Sequence, residues 1–282
     1  MLYANYLGET DKAIELLKNV IDNPRVSLQI RSKSKLDLGD IYIITGESWE
    51  SSLLYSQVEK ALKESPLGYE AKLKNAKLLY YRGNFKLAQE HLDILKLATT
   101  REIANDAMEL SLLIKENLAI DTLGEALKIY ASVELLLNQN KDEEALRRIQ
   151  GLKQGRLKLS AEDSELIHLP AAGTDSMVHT FSNYAILDDV YMLEANLRIK
   201  RGEFEKALTL LQQVLTEYPE DVLADDAYFL QGEVYEKYLN DRDKAMEVYR
   251  EFLNRFPGSV YAFEARKRFR TLRGDFVDQP QL

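Results

Sequence analysis

The chain has 282 residues, of which 45% are hydrophobic and 29% charged, with a formal net charge of −9. This length is ample for a large buried core, and the low counts of proline (6) and glycine (13) favour helix. The absence of cysteine excludes disulfides, zinc–thiolate sites and cysteine nucleophiles. The acidic balance argues against nucleic acid as the main partner, because phosphate binding needs clustered lysine and arginine.

The first residues, Met1 to Gly8, lack the basic region and long apolar run of a signal peptide. They are typical of the last turns of a helix that enters a turn at Gly8. A repeat cut through its first helix predicts that further repeats precede it in a longer protein. A naturally short first helix is the alternative.

One pattern recurs six times along the chain: a turn residue is followed, five positions later, by a small residue. The pairs are Gly8 and Ala13, Gly46 and Ser51, Gly83 and Ala88, Asn140 and Ala145, Gly202 and Ala207, and Asn240 and Ala245. Glycine and asparagine tolerate the left-handed backbone that ends a helix, and an early small residue lets the next helix pack closely. The pattern therefore predicts a series of helical hairpins stacked as a solenoid.

The hairpins carry two further features. A large residue follows the small one by four positions at Leu17, Leu92, Ile149, Leu211 and Tyr249, and prolines follow the second helix at Pro24, Pro219 and Pro257. Together these features resemble the tetratricopeptide repeat (TPR). The resemblance implies an all-α fold, a right-handed α–α superhelix with one irregular insertion.

The last two units resemble a narrower group. Their Tyr218-Pro219 and Phe256-Pro257 steps, with Ser259 and Ala262 after the second, are similar to repeats of bacterial envelope proteins of the BamD and YbgF type. This resemblance implies a bacterial protein of the periplasm or cell envelope rather than the cytoplasm.

The breaks in the period divide the chain. We expect TPR-like helical repeats over 1–152, the first of them truncated, and an irregular insertion over 153–184. Two regular TPR units follow over 185–257, then a C-terminal capping helix over 258–274 and a tail over 275–282. A helical segment at about 101–118 is also predicted, but the pattern assigns it no partner helix.

In a TPR array the first helix of each pair lines the concave face, and the resemblance implies which positions point into that groove. The expected partner-binding residues are Asp40, Lys77, Tyr80, Tyr130, Glu134, Asp189, Met192, Asn196, Asp226, Phe229 and Glu233. Their mixture of aromatic and acidic side chains suits a peptide or protein partner. Only Lys77 and Asn196 resemble the family's carboxylate clamp, so an acidic C-terminus is not the expected ligand. Alternatively, these residues pack against neighbouring helices or face water.

The insertion contains His168 and His179, close in sequence to Asp163, Glu165 and Asp175. Imidazole and carboxylate groups can hold zinc or serve as acid and base, so an enzyme or a metal-binding protein is the alternative function. However, the spacing matches no ligand motif, and a structural loop or a partner contact is the simpler interpretation.

The predicted final helix has an apolar stripe surrounded by basic residues: Arg266, Lys267, Arg268, Arg270 and Arg273. A polar outer face is typical of the helix that closes a repeat stack. An anion, lipid or RNA site is the alternative.

No phosphate loop, dinucleotide-binding turn or nucleophile elbow occurs in the chain. We therefore expect a non-enzymatic scaffold with no catalytic residue, no cofactor and no metal site, which binds a protein or peptide in its groove.

Overall fold

A computed structural model of the chain describes residues 10–97, 100–169, 178–183 and 186–275. It divides the chain into two units, residues 1–185 and 186–282. Both are built mainly from helix pairs in which helices that are consecutive in the sequence pack against each other, as α2 does with α3 in the first unit and α10 with α11 in the second. The predicted all-α repeat fold is confirmed.

The helices of the first unit are α1 (Thr10–Asp22), α2 (Leu28–Thr45), α3 (Ser48–Ala61), α4 (Pro66–Tyr81), α5 (Phe85–Leu95), α6 (Arg101–Ile120), α7 (Glu125–Asn138), α8 (Asp142–Gln154) and α9 (Ala161–Leu166). Two short strands, β1 (Arg156–Lys158) and β2 (Val178–Thr180), flank α9 in sequence. The second unit contains α10 (Leu187–Lys200), α11 (Phe204–Glu217), α12 (Leu223–Glu233), α13 (Arg242–Arg255) and α14 (Ala262–Arg273).

The predicted turns lie where the pattern places them. The backbone takes positive φ at Gly46 (91°), Gly83 (70°), Asn140 (57°), Gly202 (74°) and Asn240 (52°). The small residues five positions later are all fully buried, at Ser51, Ala88, Ala145, Ala207 and Ala245. Ala13 is buried as well, whereas its turn residue Gly8 lies outside the described residues.

Close packing within two hairpins depends on a glycine that faces a tyrosine. A Cβ atom at Gly39 would lie 2.4 Å from Cε1 of Tyr55, and one at Gly232 would lie 2.5 Å from Cε1 of Tyr249. Both rings are fully buried. In each pair, the missing side chain of the first helix leaves the space that the tyrosine of the second helix fills.

The last regular repeat contains one residue more than the others between its buried small residue and its turn. Gly232 precedes Asn240 by eight positions, whereas Gly39 precedes Gly46 by seven. A π-helical turn over Val234–Tyr238 takes up the extra residue. Such a turn keeps the helix continuous while it changes the register of the residues after it.

The segment that the pattern left without a partner forms the long helix α6. It follows α5 and packs against both α5 and α4. Helix α7 does not form a tight hairpin with it, but packs against α4 and against α8. Helix α7 has buried residues on more than one of its sides, because α4 packs against one side and α8 against another.

The insertion is more regular than predicted. Helix α8 extends to Gln154, and β1 and β2 pair as an antiparallel ladder with Leu157 opposite His179. The buried guanidinium of Arg148 on α8 bonds Asp163 of α9 at 2.7 Å, which fastens the insertion to the repeats. Residues 170–177, which include Asp175, lie outside the described residues.

Helix α14 ends at Arg273 and is followed by its C-cap residue Gly274, which has a φ of 93°. Its apolar side, including Ala265, Phe269 and Leu272, packs against the cluster formed by α12 and α13. The predicted tail from residue 276 onward lies outside the described residues.

Candidate partner-binding surfaces

The first unit has a cavity of about 630 Å³ on the side where α2, α4 and α7 face one another. Its lining residues are Asp40, Ile43, Ile44, Tyr55, Lys74, Lys77, Tyr81, Leu137, Asn138 and Asn140. We call this the inner cavity. Half-buried apolar side chains (Ile43, Ile44, Leu137) lie beside charged and amide groups, a composition suited to a peptide segment.

A hydrogen-bonded network lies at one side of the inner cavity. The Tyr55 hydroxyl donates to Oδ1 of Asp40 at 2.7 Å, and Nζ of Lys74 lies 2.9 Å from both oxygens of that carboxylate. Three helices meet in this network, because Tyr55 belongs to α3, Asp40 to α2 and Lys74 to α4. Burial, the adjacent Asp40 charge and this hydrogen bond raise the pKa of Tyr55, which therefore stays protonated.

The opposite side of the inner cavity joins α4 to α6 and α7. Lys77 pairs with Asp106 of α6 at 3.3 Å, with both side chains about half exposed. Asn138 donates to the Tyr81 hydroxyl at 3.0 Å. Of these four side chains, Lys77, Tyr81 and Asn138 line the inner cavity.

Three of the expected groove residues, Tyr80, Tyr130 and Glu134, lie where α4 meets α7. Tyr80 and Tyr130 are almost completely buried, so neither presents a ring to the inner cavity. Burial raises the pKa of Glu134 to about 7, although the Tyr80 hydroxyl and the Lys77 ammonium act in the opposite direction. The packing of α7 against α4 covers these positions, and Tyr81 lines the inner cavity in place of Tyr80.

In the second unit, the expected groove residues of α10 differ in exposure. Met192 packs on the edge of a cluster that includes Tyr191 and Leu211. Asn196 is exposed, and its amide donates to the Met192 carbonyl at 3.0 Å. Asp189 is half-buried in the first turn of α10.

The expected groove residues of α12 are in contact with α14 or with Tyr261, which directly precedes it. Phe229 is 7% exposed and stacks on Tyr261, with ring centroids 4.7 Å apart. Asp226 accepts a hydrogen bond from the Tyr261 hydroxyl at 2.7 Å, and Glu233 pairs with Arg268 at 2.9 Å. The segment predicted to close the stack (258–274) therefore contacts all three of these side chains.

The basic residues of α14 are largely paired with carboxylates. Arg268 contacts Glu233, Glu236 and Glu264, while Arg270 and Arg273 contact Asp275. Such pairing reduces the positive field that an RNA or lipid surface would require.

Sequence reasoning missed several residues that line the inner cavity, among them Tyr55, Lys74 and Tyr81. Tyr55 could have been found, because it follows the small residue Ser51 by four positions, as Tyr249 follows Ala245. Lys74 is recognisable only once its distance to Asp40 is known.

The histidines of the insertion have separate surroundings. His179 is buried, and its Nε2 lies 3.0 Å from the Ser164 hydroxyl, whereas His168 is exposed with a φ of 54°. Within the ranges that the structure describes, no three His, Asp or Glu side chains are grouped so that they could hold a metal ion. Nor is any helix in those ranges both long and apolar enough to cross a bilayer.

These features define a helical-repeat protein. Residues 189–221 and 226–259 match the family described as tetratricopeptide repeat, and the two segments cover most of α10–α11 and α12–α13. Proteins of this family are generally non-enzymatic scaffolds that bind proteins or peptides.

A curated relative from Treponema pallidum (strain Nichols), described as an uncharacterized protein, is 32% identical over 89 residues. The aligned part is 31% of this chain and 17% of that protein. The chain thus matches only a small part of the length of this relative.

Proposed function

We propose that this chain is a non-enzymatic scaffold that holds a segment of a partner protein in the inner cavity of its first unit. The observation that supports the proposal is that α2, α4 and α7 face one another around a cavity large enough for a peptide segment. Its walls combine an apolar surface with charged and amide groups that already hold one another in place, so little side-chain ordering remains to be done on binding.

The partner segment would place an apolar side chain against Ile43, Ile44 and Leu137. The amides of Asn138 and Asn140 lie at the exposed end of the inner cavity, where they can bond the backbone of that segment. Lys77 is positively charged and Asp40 negatively charged. This pair favours a partner segment that carries both signs of charge over one that is strongly acidic or basic.

Site-directed photo-crosslinking in the native cell tests this proposal. Benzoylphenylalanine at position 44 would lie in the inner cavity, whereas the same group at position 60 would lie on the exposed surface of α3. We expect one discrete adduct from position 44 that is absent from position 60. The same adducts from both positions would count against the inner cavity as the binding surface.

A substitution then tests the chemistry. Leu137→Asp places a carboxylate on the apolar wall and should abolish the adduct formed from position 44. Leu53→Asp, at an exposed apolar residue of α3, is the matched control and should leave the adduct unchanged. Circular dichroism must show equal helix content in both variants.

We also propose that the protein works in the bacterial cell envelope. The support is the likeness of its last two repeats, with their Tyr-Pro and Phe-Pro steps, to those of envelope proteins of the BamD and YbgF type. Fractionation of the native cell into periplasm, membranes and cytoplasm is the test. Recovery in the cytoplasm alone would reject the assignment while leaving the scaffold proposal intact.

A further inference from the structure

The inserted hairpin contributes a second cavity, of about 630 Å³, between α8 and β1. Its lining residues are Arg147, Gln150, Gly151, Gln154, Arg156, Leu157, Lys158, Leu159, Ser160 and Val178. We call it the hairpin trough. Among the described residues that line it, three are cations and none is a carboxylate, in a chain whose net charge is −9.

The trough exists because Gly151 lets β1 lie directly against α8. A Cβ atom there would be 2.5 Å from Cδ1 of Leu157 and 3.1 Å from the Arg156 carbonyl oxygen. Helix α8 therefore forms one wall, with Arg147, Gln150 and Gln154 exposed along it at the spacing of one helical face. Strand β1 forms the other wall.

The cations of β1 are exposed and available. Leu157 is buried between Arg156 and Lys158, so the two cations share the outer face of the strand. Arg147 is 72% exposed, and its nearest carboxylate, on Glu144, is 3.7 Å away and already bonded to Arg148 at 2.9 Å. The carbonyls at the end of α8, which would repel an anion, are partly satisfied by Asn183, which donates to Leu152 at 2.7 Å.

We propose that the hairpin trough binds an extended acidic segment of a partner protein, at a surface separate from the inner cavity. Side chains two residues apart on β1 are roughly 6.6 Å apart, and an extended segment repeats its alternate side chains at the same distance. Glutamates or aspartates at alternate positions would thus meet Arg156 and Lys158 on the exposed face of β1 and Arg147 on the exposed side of α8. Val178, 39% exposed beside Lys158, offers a small apolar contact for an intervening residue.

A nucleic acid fits this trough less well. Its phosphates would extend past three cations onto an acidic protein, whereas a short segment meets only the charges within about 8 Å at physiological salt. The amides of Gln150 and Gln154 can donate to carboxylate oxygens as well as to a peptide backbone.

Binding of a fluorescein-labelled octapeptide of alternating glutamate and threonine to the full chain tests the proposal. The matched peptide has glutamine in place of every glutamate. We expect binding of the glutamate peptide that weakens as sodium chloride rises, and no binding of the glutamine peptide. The double variant Arg156→Gln, Lys158→Gln should weaken binding by roughly tenfold or more.

The control is Lys60→Gln, Lys86→Gln, which removes two exposed cations from α3 and α5 and so changes the net charge equally. It should bind as the wild type does. The proposal would be overturned by an equal loss of peptide affinity in the two double variants, by equal binding of the two peptides, or by no binding of either peptide. Displacement of the peptide by millimolar phosphate, or by a single-stranded RNA of equal charge, would show that the trough binds phosphate groups and would overturn the assignment of an acidic protein segment.

Discussion

At the scale of single residues, the fold depends on where side chains are missing as much as on where they pack. Gly39 and Gly232 each leave space for a buried tyrosine whose hydroxyl reaches a carboxylate beyond it. Tyr55 bonds Asp40, which Lys74 also contacts, and Tyr249 bonds Glu236, which Arg268 contacts. The two units therefore use the same combination of tyrosine, carboxylate and cation to join three successive helices.

Gly232→Ala should destabilise the protein. The added methyl would lie 2.5 Å from Cε1 of the Tyr249 ring, which is fully buried and packed against Phe229. We expect a loss of about 1–3 kcal/mol, despite the gain of up to ~1 kcal/mol that alanine brings to a helix. Urea denaturation gives the free energy of unfolding. Gly258→Ala is the control, because a Cβ there meets nothing within 4 Å, and an equal loss in both variants would refute the argument.

Glu134 should make stability depend on pH. Burial raises its pKa from 4.5 to about 7, so the folded protein holds the proton more tightly than the unfolded chain. The resulting stabilisation is complete below about pH 4.5 and is lost as pH rises through about 7. Glu134→Gln should remove this dependence, a difference of up to about 3 kcal/mol between the two limits.

Urea denaturation of wild type and Glu134→Gln from pH 4.5 to 8 measures this difference. Glu220→Gln, at an exposed position, is the control and should follow the wild type at every pH. Parallel pH profiles for wild type and Glu134→Gln would contradict the burial of this carboxylate.

At the scale of helices, the position of each element depends on which faces its neighbours leave uncovered. Helix α14 covers the inner side of α12, with Arg268 in contact with both Glu233 and Glu236 and with its guanidinium 5.4 Å from the Phe229 ring centroid. Helix α7 likewise covers part of α4, which buries Tyr80. In both places, side chains expected to meet a partner are covered by another helix of the same chain.

Arg268→Gln should loosen α14 selectively. Removal of the guanidinium leaves Glu233 and Glu236 close together without their shared cation, at a cost of about 1–3 kcal/mol. Hydrogen exchange should become faster in α14 and the π-helical turn, and stay unchanged in α10. Arg266→Gln, at an exposed position on the same helix, is the control; equal exchange in the two variants would show that the ion pairs do not hold α14.

At the scale of the whole molecule, the two units have hydrophobic cores of their own. Two hydrophobic clusters of the second unit consist of buried residues of α10–α14, including Tyr191, Leu211, Phe229 and Phe252. In stacked repeats each helix pair is stabilised mainly by its immediate neighbours, so a unit with a complete core can fold by itself.

A fragment of residues 186–282 should accordingly fold alone. We expect helical circular dichroism and a cooperative thermal transition, because the clusters around Leu211 and Phe252 remain intact in the fragment. The full chain, measured beside it, should unfold with more than one transition or with a broadened one. A fragment that melts without cooperativity would show that its stability depends on residues before 186.

Much of the fold was predictable from local pattern. The turns at Gly46, Gly83, Asn140, Gly202 and Asn240 need a residue that tolerates positive φ, and the small residues after them need burial, so both leave a mark in the sequence. The inner cavity was predicted only in part: Asp40 and Lys77 line it, whereas Tyr80 does not.

The sequence by itself determined the helical hairpins and their period, because turn chemistry and helix packing act over a few residues. Only the tertiary structure decided that α7 covers α4, that α14 contacts the groove residues expected on α12, and that β1 and β2 pair across the insertion. These contacts join residues distant in sequence, and they depend on which apolar faces remain uncovered after the local hairpins have formed. The inner cavity and the hairpin trough both form at such contacts. For that reason, no local sequence motif predicts either of them.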